Sequence, residues 1–208
     1  MWKVAAWLFK TLLIYLVLCV SLFLMSRTIL NYLTFQDNIQ FLAFKQDYVH
    51  IPIWKTAFYI HVFTAFLSLA AGLTQFSSEI RQHHPRWHRR LGHVYVWNIL
   101  VINFPTALVM AIYANGGWSG KAAFLLLDFL WFWFTLKALQ TAVQRNFTLH
   151  QKYMIRSYAL TFSAITLRTW KIILLQVPSI PPSSVYVYEA WIGFLPNLVI
   201  AELIIFYL

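Results

Sequence analysis

The stretch AAFLLLDFLWFWFTLKALQTA, Ala122–Ala142, decides the class of fold to which this chain belongs. It contains only two charged residues, Asp128 and Lys137. Because each residue adds about 1.5 Å to a helix, a segment of about 20 mostly apolar residues is long enough to cross a bilayer. Backbone groups cannot stay unpaired in lipid, and the segment lacks the alternation of a barrel strand. The sequence therefore predicts a transmembrane helix here.

Five further segments meet the same length rule, and they are Ala5–Met25, Thr56–Phe76, Gly92–Tyr113, Tyr153–Leu175 and Ala190–Tyr207. The expected fold is an all-α polytopic membrane bundle of six helices, forming a single transmembrane domain over residues 1–208. Helices two to five are predicted to form the core, and helices one and six its periphery. The first segment is interpreted as a retained helix because Ser21–Arg27 offers no signal-peptide cleavage site.

The composition agrees with a membrane protein and excludes other classes. Of the 208 residues, 61% are apolar and 11% are charged, whereas soluble domains carry roughly a quarter charged residues. Lys and Arg number 16 against six acids, which gives a formal net charge of +10. Nine of these cations fall on the side of the N-terminus and four on the other side, so both termini are predicted to be cytoplasmic. Anionic lipid is the expected counter-charge, and nucleic acid is not an expected partner.

Two histidines begin similar motifs at the cytoplasmic ends of helices three and five. The motifs are WHRRLGHVY, Trp87–Tyr95, and LHQKYMIRSY, Leu149–Tyr158. The two helices run parallel in the predicted topology, so His88 and His150 are expected at nearly the same depth. Neutral imidazole is a good ligand for a metal ion or a haem iron. In one interpretation the two histidines therefore ligate a metal or a b-type haem.

The haem interpretation assigns further residues around the two histidines. Gly92 would make room for the ring, and Arg89, Arg156 and Lys152 would contact haem propionates or quinone. In the other interpretation, both histidines cap helices or pair with lipid phosphate at a basic interface. Both interpretations stay open.

A second polar group is expected within roughly two turns of the outer boundary. Its members are His61, Asp128, Arg168 and Lys171. An Asp128–Arg168 ion pair is predicted to offset much of the cost of burial, and His61 could join it by a hydrogen bond. The group is then either a proton relay or anionic-substrate site, or a structural pair that fixes helix register while Lys171 extends outward.

No motif of a known enzyme class is present. The chain has no Gly-rich phosphate loop, no Ser-His-Asp pattern and no His-Glu-x-x-His, and Cys19 is its single cysteine. Trp131, Trp133 and Phe134 are predicted to face lipid or a neighbouring membrane subunit, since the two surfaces are chemically alike.

Several motifs together resemble a family of bacterial predicted membrane proteins of unknown function. They are His61, Gln75-Phe76, the run His88–Tyr95, the run His150–Thr161 and Arg168, and the resemblance extends from Tyr59 to Lys171. His93 stands where the family usually has Arg. The resemblance implies the membrane fold and no established activity. A looser similarity is to the dihaem b561-type cytochromes, which use two histidine pairs where this chain has one.

Two functions follow from these observations. The favoured one is a cofactor-free accessory or transport-type subunit of a membrane complex, in which the outer polar group and the basic clusters bind lipid, a proton or a partner helix. The alternative is a membrane redox protein that holds one b-type haem between His88 and His150 and exchanges electrons with quinone. The first is preferred because only one histidine pair is available.

Overall fold

The structure is a computed structural model that describes residues 2–208, with side chains of the first helix described at Leu12, at Leu16 and from Cys19 onward. Over this range the chain forms ten α-helices and no strand. The helices are α1 (Trp2–Tyr32), α2 (Pro52–Gln75), α3 (Ser78–His83), α4 (Pro85–Trp97), α5 (Phe104–Ile112), α6 (Gly117–Val143), α7 (Phe147–Thr161), α8 (Ser163–Leu174), α9 (Pro182–Ile192) and α10 (Leu195–Phe206). The predicted all-helical fold class is confirmed.

Among the described residues, four helical stretches are long and apolar enough to cross a membrane, namely Pro52–Gln75, Pro85–Ile112, Gly117–Val143 and Pro182–Phe206. Each begins four to eight residues before the corresponding predicted segment. Three of them start at proline, which is favoured in the first helical turn because it has no N–H to leave unpaired. The predicted segment Tyr153–Leu175 falls on α7 and α8, of 15 and 12 residues. The segment Ala5–Met25 falls on α1, and most of its side chains lie outside the described residues.

Pro105 accounts for an irregularity in the third predicted span. Proline cannot donate the backbone hydrogen bond that continues a helix, and the turn before it widens into a π-helix over Asn98–Asn103. The Asn98 side chain fixes this segment to α2, because its amide donates to the Thr64 carbonyl oxygen and to Ser68 Oγ, both at 2.7 Å.

The breaks between α7 and α8 and between α9 and α10 pack against each other. The Asn197 amide of α10 donates to the Ala159 carbonyl oxygen at 3.2 Å and to Thr166 Oγ1 at 2.9 Å. Backbone carbonyls freed at a helix break need partners in an apolar environment. The Asn197 amide supplies such a hydrogen-bond partner across the two helix breaks.

Four helical segments form a closed ring in the order α2, α4–α5, α6 and α7, so α4 and α7 face each other diagonally. Of the remaining helices, α1 packs on α2, α9 packs on α6 and α8, and α10 packs on α7. Trp131 is 7% exposed and lies in the apolar core. The prediction that Trp131 faces lipid is therefore wrong, whereas Trp133 is 49% exposed as predicted. The two differ because residues two apart point to different sides of a helix.

Residues 33–51 fold back over one end of the bundle and are called the cap. Leu42 and Val49 of the cap are buried against Trp54 and Phe58 of α2. The cap defines one end of the molecule, the cap end. The opposite end carries α3 and the α6–α7 turn and is called the arginine end, since it holds four arginines between residues 81 and 90.

Candidate functional site

A buried network of hydrogen-bonded side chains lies at the centre of the ring and is called the hydroxyl network. The Tyr95 hydroxyl of α4 is 2.8 Å from both Ser157 Oγ and Thr161 Oγ1 of α7. From α6, Thr135 Oγ1 lies 2.7 Å from Ser157 Oγ, and Trp131 Nε1 donates to Thr161 Oγ1 at 2.9 Å. Every member is buried. The network thus joins three helices across the core.

Asp128 lies on the face of α6 that carries Trp131 and Thr135, three residues before Trp131 and seven before Thr135. Its side chain is 3% exposed, and neither carboxylate oxygen has a hydrogen-bond partner among the described residues. It stands eleven residues after Gly117, about 16 Å along the helix and near its middle. Asp128 stands farther from the start of its helix than the predicted start at Ala122 implied, because α6 begins five residues earlier than the apolar segment.

The predicted Asp128–Arg168 ion pair is absent from the described part of the chain. The ion pairs found there are Lys55–Asp37, His83–Glu79 and Arg156–Glu202. The Arg168 guanidinium donates instead to the Ala164 carbonyl oxygen of its own helix. The carboxylate within electrostatic range of Arg168 belongs to Glu189 of α9.

Four residues from three helices form a group toward the cap end, called the cap-side cluster: His61, Arg168, Lys171 and Glu189. Glu189 is 7% exposed and its Oε2 has no described partner, although both cations of α8 act on it electrostatically. His61 Nδ1 lies 3.4 Å from Thr106 Oγ1, and the Lys171 ammonium lies 4.8 Å from the centre of the Phe44 ring of the cap. Arg168 thus acts electrostatically on both His61 and Glu189, and Glu189 takes the place that the prediction gave to Asp128.

Lys45 of the cap is a buried lysine, with 2% of its surface exposed. Its ammonium donates to the Tyr113 carbonyl oxygen and to Asn115 Oδ1, both at 2.7 Å. Three aromatic rings lie 5.3 to 5.7 Å from the ammonium, and they belong to Phe41, Tyr48 and Tyr186. Burial lowers the pKa of Lys45 to about 8, because the charged ammonium loses its hydration. Lys45 fixes the cap to the α5–α6 connection and to α9.

His88 and His150 lie within electrostatic range of each other at the arginine end. His150 Nδ1 lies 2.8 Å from the Ala138 carbonyl oxygen of α6, so this nitrogen carries the proton and Nε2 is left with its lone pair. Metal-binding histidines commonly donate their second ring nitrogen to a carbonyl in this way. His88 Nδ1 is buried without a described partner. His150 Nε2 and His88 Nδ1 are thus two ring nitrogens at the arginine end without a described hydrogen-bond partner.

The surroundings of the two histidines fit a haem less well. The face of Gly92 is covered by the Gln75 side chain, whose Oε1 lies 2.9 Å from the position of an added Cβ. Arg156 binds Glu202 through two hydrogen bonds of 2.5 and 2.7 Å, so its charge is already paired, whereas Arg89 is exposed. Neither of two concavities on the described surface is lined by His88 or His150, and no cluster of three metal-ligating side chains occurs among the described residues.

Three features of the site were not predicted, and two of them had a signal in the sequence. Thr135, Ser157 and Thr161 occur at helical spacing on helices predicted to be in the core, which is unusual for an apolar interior. Glu189 lies one residue before the predicted segment Ala190–Tyr207 and was therefore placed in a connection. Lys45 had no signal, because a lysine in a polar connection is normally exposed.

An all-helical chain with several apolar helices around a polar interior defines a helical membrane-protein bundle. Residues 58–205 match the model of a family described as predicted membrane protein (DUF2306), and the chain belongs to this family. The matched region runs from α2 into α10 and includes both the hydroxyl network and the cap-side cluster. No curated protein and no solved structure shows a significant match to the chain.

Proposed function

We propose that the protein is a cofactor-free, transport-type membrane protein that carries protons through its helical core. In this proposal α1 and the α7–α8 pair join the four apolar stretches to make six spans of a bacterial inner membrane. The arginine end and both termini face the cytoplasm, as the distribution of cations favours. The observation that carries the proposal is the unpaired Asp128 carboxyl beside the buried hydroxyl network.

The placement of Asp128 supports a role in proton transfer. Ionisable residues at membrane depth are costly and commonly mark ion or proton pathways. A buried carboxylate without a partner is far costlier than the neutral acid, whereas a structural carboxylate is normally paired. Asp128 has no described partner that would hold it permanently in one charge state. A carboxyl in this position is suited to take up a proton and release it.

The hydroxyl network supplies groups that could pass a proton along the core. A hydroxyl both donates and accepts a hydrogen bond, so it can receive a proton on one side and give one up on the other. Tyr95, Ser157 and Thr135 form such a chain with spacings of 2.7 and 2.8 Å. One turn beyond Thr135, the Ala138 carbonyl oxygen accepts from His150. Titratable groups therefore lie near the middle of the bundle and at its arginine end.

Proton flux in proteoliposomes tests the proposal. The full chain is reconstituted with a pH-sensitive dye inside, and a potassium diffusion potential drives proton entry. We expect flux above that of empty liposomes, and an Asp128→Asn variant reduces it at least tenfold. Asp37→Asn is the matched control, because Asp37 lies in the cap and pairs with Lys55. Equal flux in wild-type and empty liposomes overturns the proposal.

A second pair of variants tests the hydroxyl network itself. Thr135→Val keeps the side-chain shape and removes the hydroxyl, and we expect it to reduce flux severalfold. Thr28→Val is the matched control, because the Thr28 hydroxyl is exposed and bonds only its own helix at Leu24. Unchanged flux in Thr135→Val, with Asp128→Asn inactive, would remove the network from the pathway.

A redox protein with one b-type haem is the second candidate, and the orientation of the His150 ring favours it. His88 and His150 would hold the iron, and quinone in the adjacent lipid would be the redox partner. The bound haem would supply one-electron transfer, while Ala138 would keep His150 in the ligating tautomer. Binding would require Gln75 to move away from Gly92.

A reduced-minus-oxidised optical spectrum of the purified protein decides between the two candidates. A Soret band that is lost in His150→Ala, and kept in an exposed control such as His93→Ala, would establish the haem. A colourless preparation from haem-replete cells excludes the haem, and the proton proposal is then the remaining candidate. The same preparation, analysed for co-purifying chains, tests whether the exposed Trp133 and Phe129 of α6 face another membrane subunit.

A further inference from the structure

A concave, strongly basic surface lies where α3 meets α4 at the arginine end. It encloses ≈ 470 Å³ and is lined by His83, His84, Pro85, Arg86, Trp87 and Arg90. It is called the basic pocket. Residues 81–90 contain four arginines, of which Arg86 and Arg90 line the pocket and Arg81 and Arg89 do not. This surface takes no part in the proton pathway proposed above.

The arginines of the basic pocket have no partner within the described protein. None of the described ion pairs involves Arg81, Arg86, Arg89 or Arg90. The one acid nearby, Glu79, lies 3.1 Å from His83. Four guanidinium groups in ten residues repel each other, and such a cluster is stabilised by an anion. The missing counter-charge must therefore come from outside the described chain.

Trp87 indicates the surface of a membrane as the source of that anion. Its side chain is 56% exposed although it is large and aromatic, and the Arg90 guanidinium lies 5.8 Å from its ring centre. Exposed tryptophans concentrate at the headgroup level of bilayers, where one part of the ring is in contact with lipid and another with water. Trp87 lies at the start of the apolar stretch Pro85–Ile112, where that level is expected.

We infer that the basic pocket binds the phosphate of an anionic phospholipid headgroup. Guanidinium groups bind phosphate oxygens through paired hydrogen bonds, and Arg86 and Arg90 line the same concavity one helical turn apart. The lipid chains would lie along the apolar face of α4 below Trp87. A lipid with two phosphates is expected to bind more tightly than one with a single phosphate, because four arginines are available.

Native mass spectrometry of the detergent-purified full chain tests this inference. Phosphatidylglycerol and phosphatidylcholine are added at equal concentration, and the lipid-bound fractions are compared. We expect at least tenfold preference for phosphatidylglycerol, lost in Arg86→Gln/Arg90→Gln. The control is Arg145→Gln/Lys152→Gln, which removes the same charge from the same end, outside the pocket, and should keep the preference.

Each further outcome has a defined meaning. Equal loss in both double variants overturns the inference, because the effect is then diffuse charge attraction. Displacement of lipid by millimolar inorganic phosphate also overturns it, since the site then takes a free anion. If the glutamine variant does not purify as a monodisperse species, Arg86→Lys/Arg90→Lys is measured instead. That variant keeps the charge and loses the paired donors, so severalfold weaker binding supports the inference and unchanged binding contradicts it.

Discussion

The hydroxyl network and the cap-side cluster are both polar groups inside one apolar bundle, and they differ in how their polar atoms are paired. In the network, every described hydroxyl has a partner within 2.9 Å. In the cluster, Glu189 leaves one oxygen unpaired and Arg168 bonds only its own helix. Asp128, on the same helix as Trp131 and Thr135 of the network, has both oxygens unpaired among the described residues.

The difference separates groups whose hydrogen bonds stabilise the fold from a carboxyl whose burial costs stability. A fully paired network gains stability from each hydrogen bond, and removal of one hydroxyl leaves a buried polar atom unsatisfied. An unpaired charge lowers stability and is retained for another reason. Removal of a network hydroxyl should therefore destabilise the protein, whereas removal of the Asp128 carboxyl should not.

The largest expected effect is that of Tyr95→Phe. The variant leaves Ser157 and Thr161 each without one hydrogen-bond partner in the core, and we expect a loss of about 2 kcal/mol in the free energy of unfolding. Thermal unfolding in detergent measures the effect. Tyr207→Phe serves as the control because Tyr207 is 82% exposed. If both variants unfold at the same temperature, the hydroxyl network does not stabilise the packing of the helices.

The opposite sign is expected for Asp128→Leu. An unpaired buried carboxyl is replaced by an apolar side chain of similar size, and we expect stability to rise by about 1 to 2 kcal/mol. The predicted ion pair with Arg168 is absent from the described residues, so the substitution breaks no described ion pair. A melting temperature lowered as far as that of Tyr95→Phe would mean that Asp128 has a partner and that the contrast between the two regions is wrong.

Lys45 provides a pH-dependent test at the cap. Its pKa is about 8 in the folded protein against 10.5 for the ordinary side chain. Between these values the unfolded state binds more protons than the folded state, so the contribution of Lys45 to stability rises with pH. We expect this contribution to rise by about 1 kcal/mol between pH 7 and pH 9. The rise should disappear in Lys45→Met, and an identical pH profile in both proteins would show that the ammonium is hydrated.

The smallest effect is expected for the Arg156–Glu202 pair. Both hydrogen bonds are short, but the Glu202 side chain is 53% exposed, so solvent or headgroups weaken the attraction. A double-mutant cycle with Arg156→Gln and Glu202→Gln should give a coupling of about 0.5 kcal/mol. A coupling energy larger than the stability lost in Tyr95→Phe would contradict this ranking, because the strongest polar interaction would then lie at the periphery of the bundle.

Most of the fold could be predicted from the lengths of the apolar segments, because a helix must reach a minimum length to cross a bilayer. Helix ends could not be obtained in this way, since polar first turns such as Gly117–Lys121 are helical but not apolar. The difference of five residues at the start of α6 places Asp128 nearer the middle of its helix than the predicted segment did. Depth along a helix depends directly on where the helix begins.

The candidate site was predicted only in part, for a related reason. The proximity of His88 and His150 follows from topology, because both begin helices at one end. The partners of each polar side chain depend on how its helix is rotated about its own axis. The length of an apolar segment carries no information about that rotation. Trp131 and Gln75 illustrate this, since one is buried where lipid contact was expected and the other fills the space assigned to a haem.

The protonation state of Asp128 tests most directly whether its carboxyl is unpaired. Infrared difference spectra of wild type and Asp128→Asn, recorded at neutral pH, resolve the carbonyl band of a protonated carboxylic acid. A carboxyl buried without a cation or donor should appear as this band in the wild type and be missing from the variant. Carboxylate bands alone would show that a counter-charge stabilises Asp128, which contradicts the account.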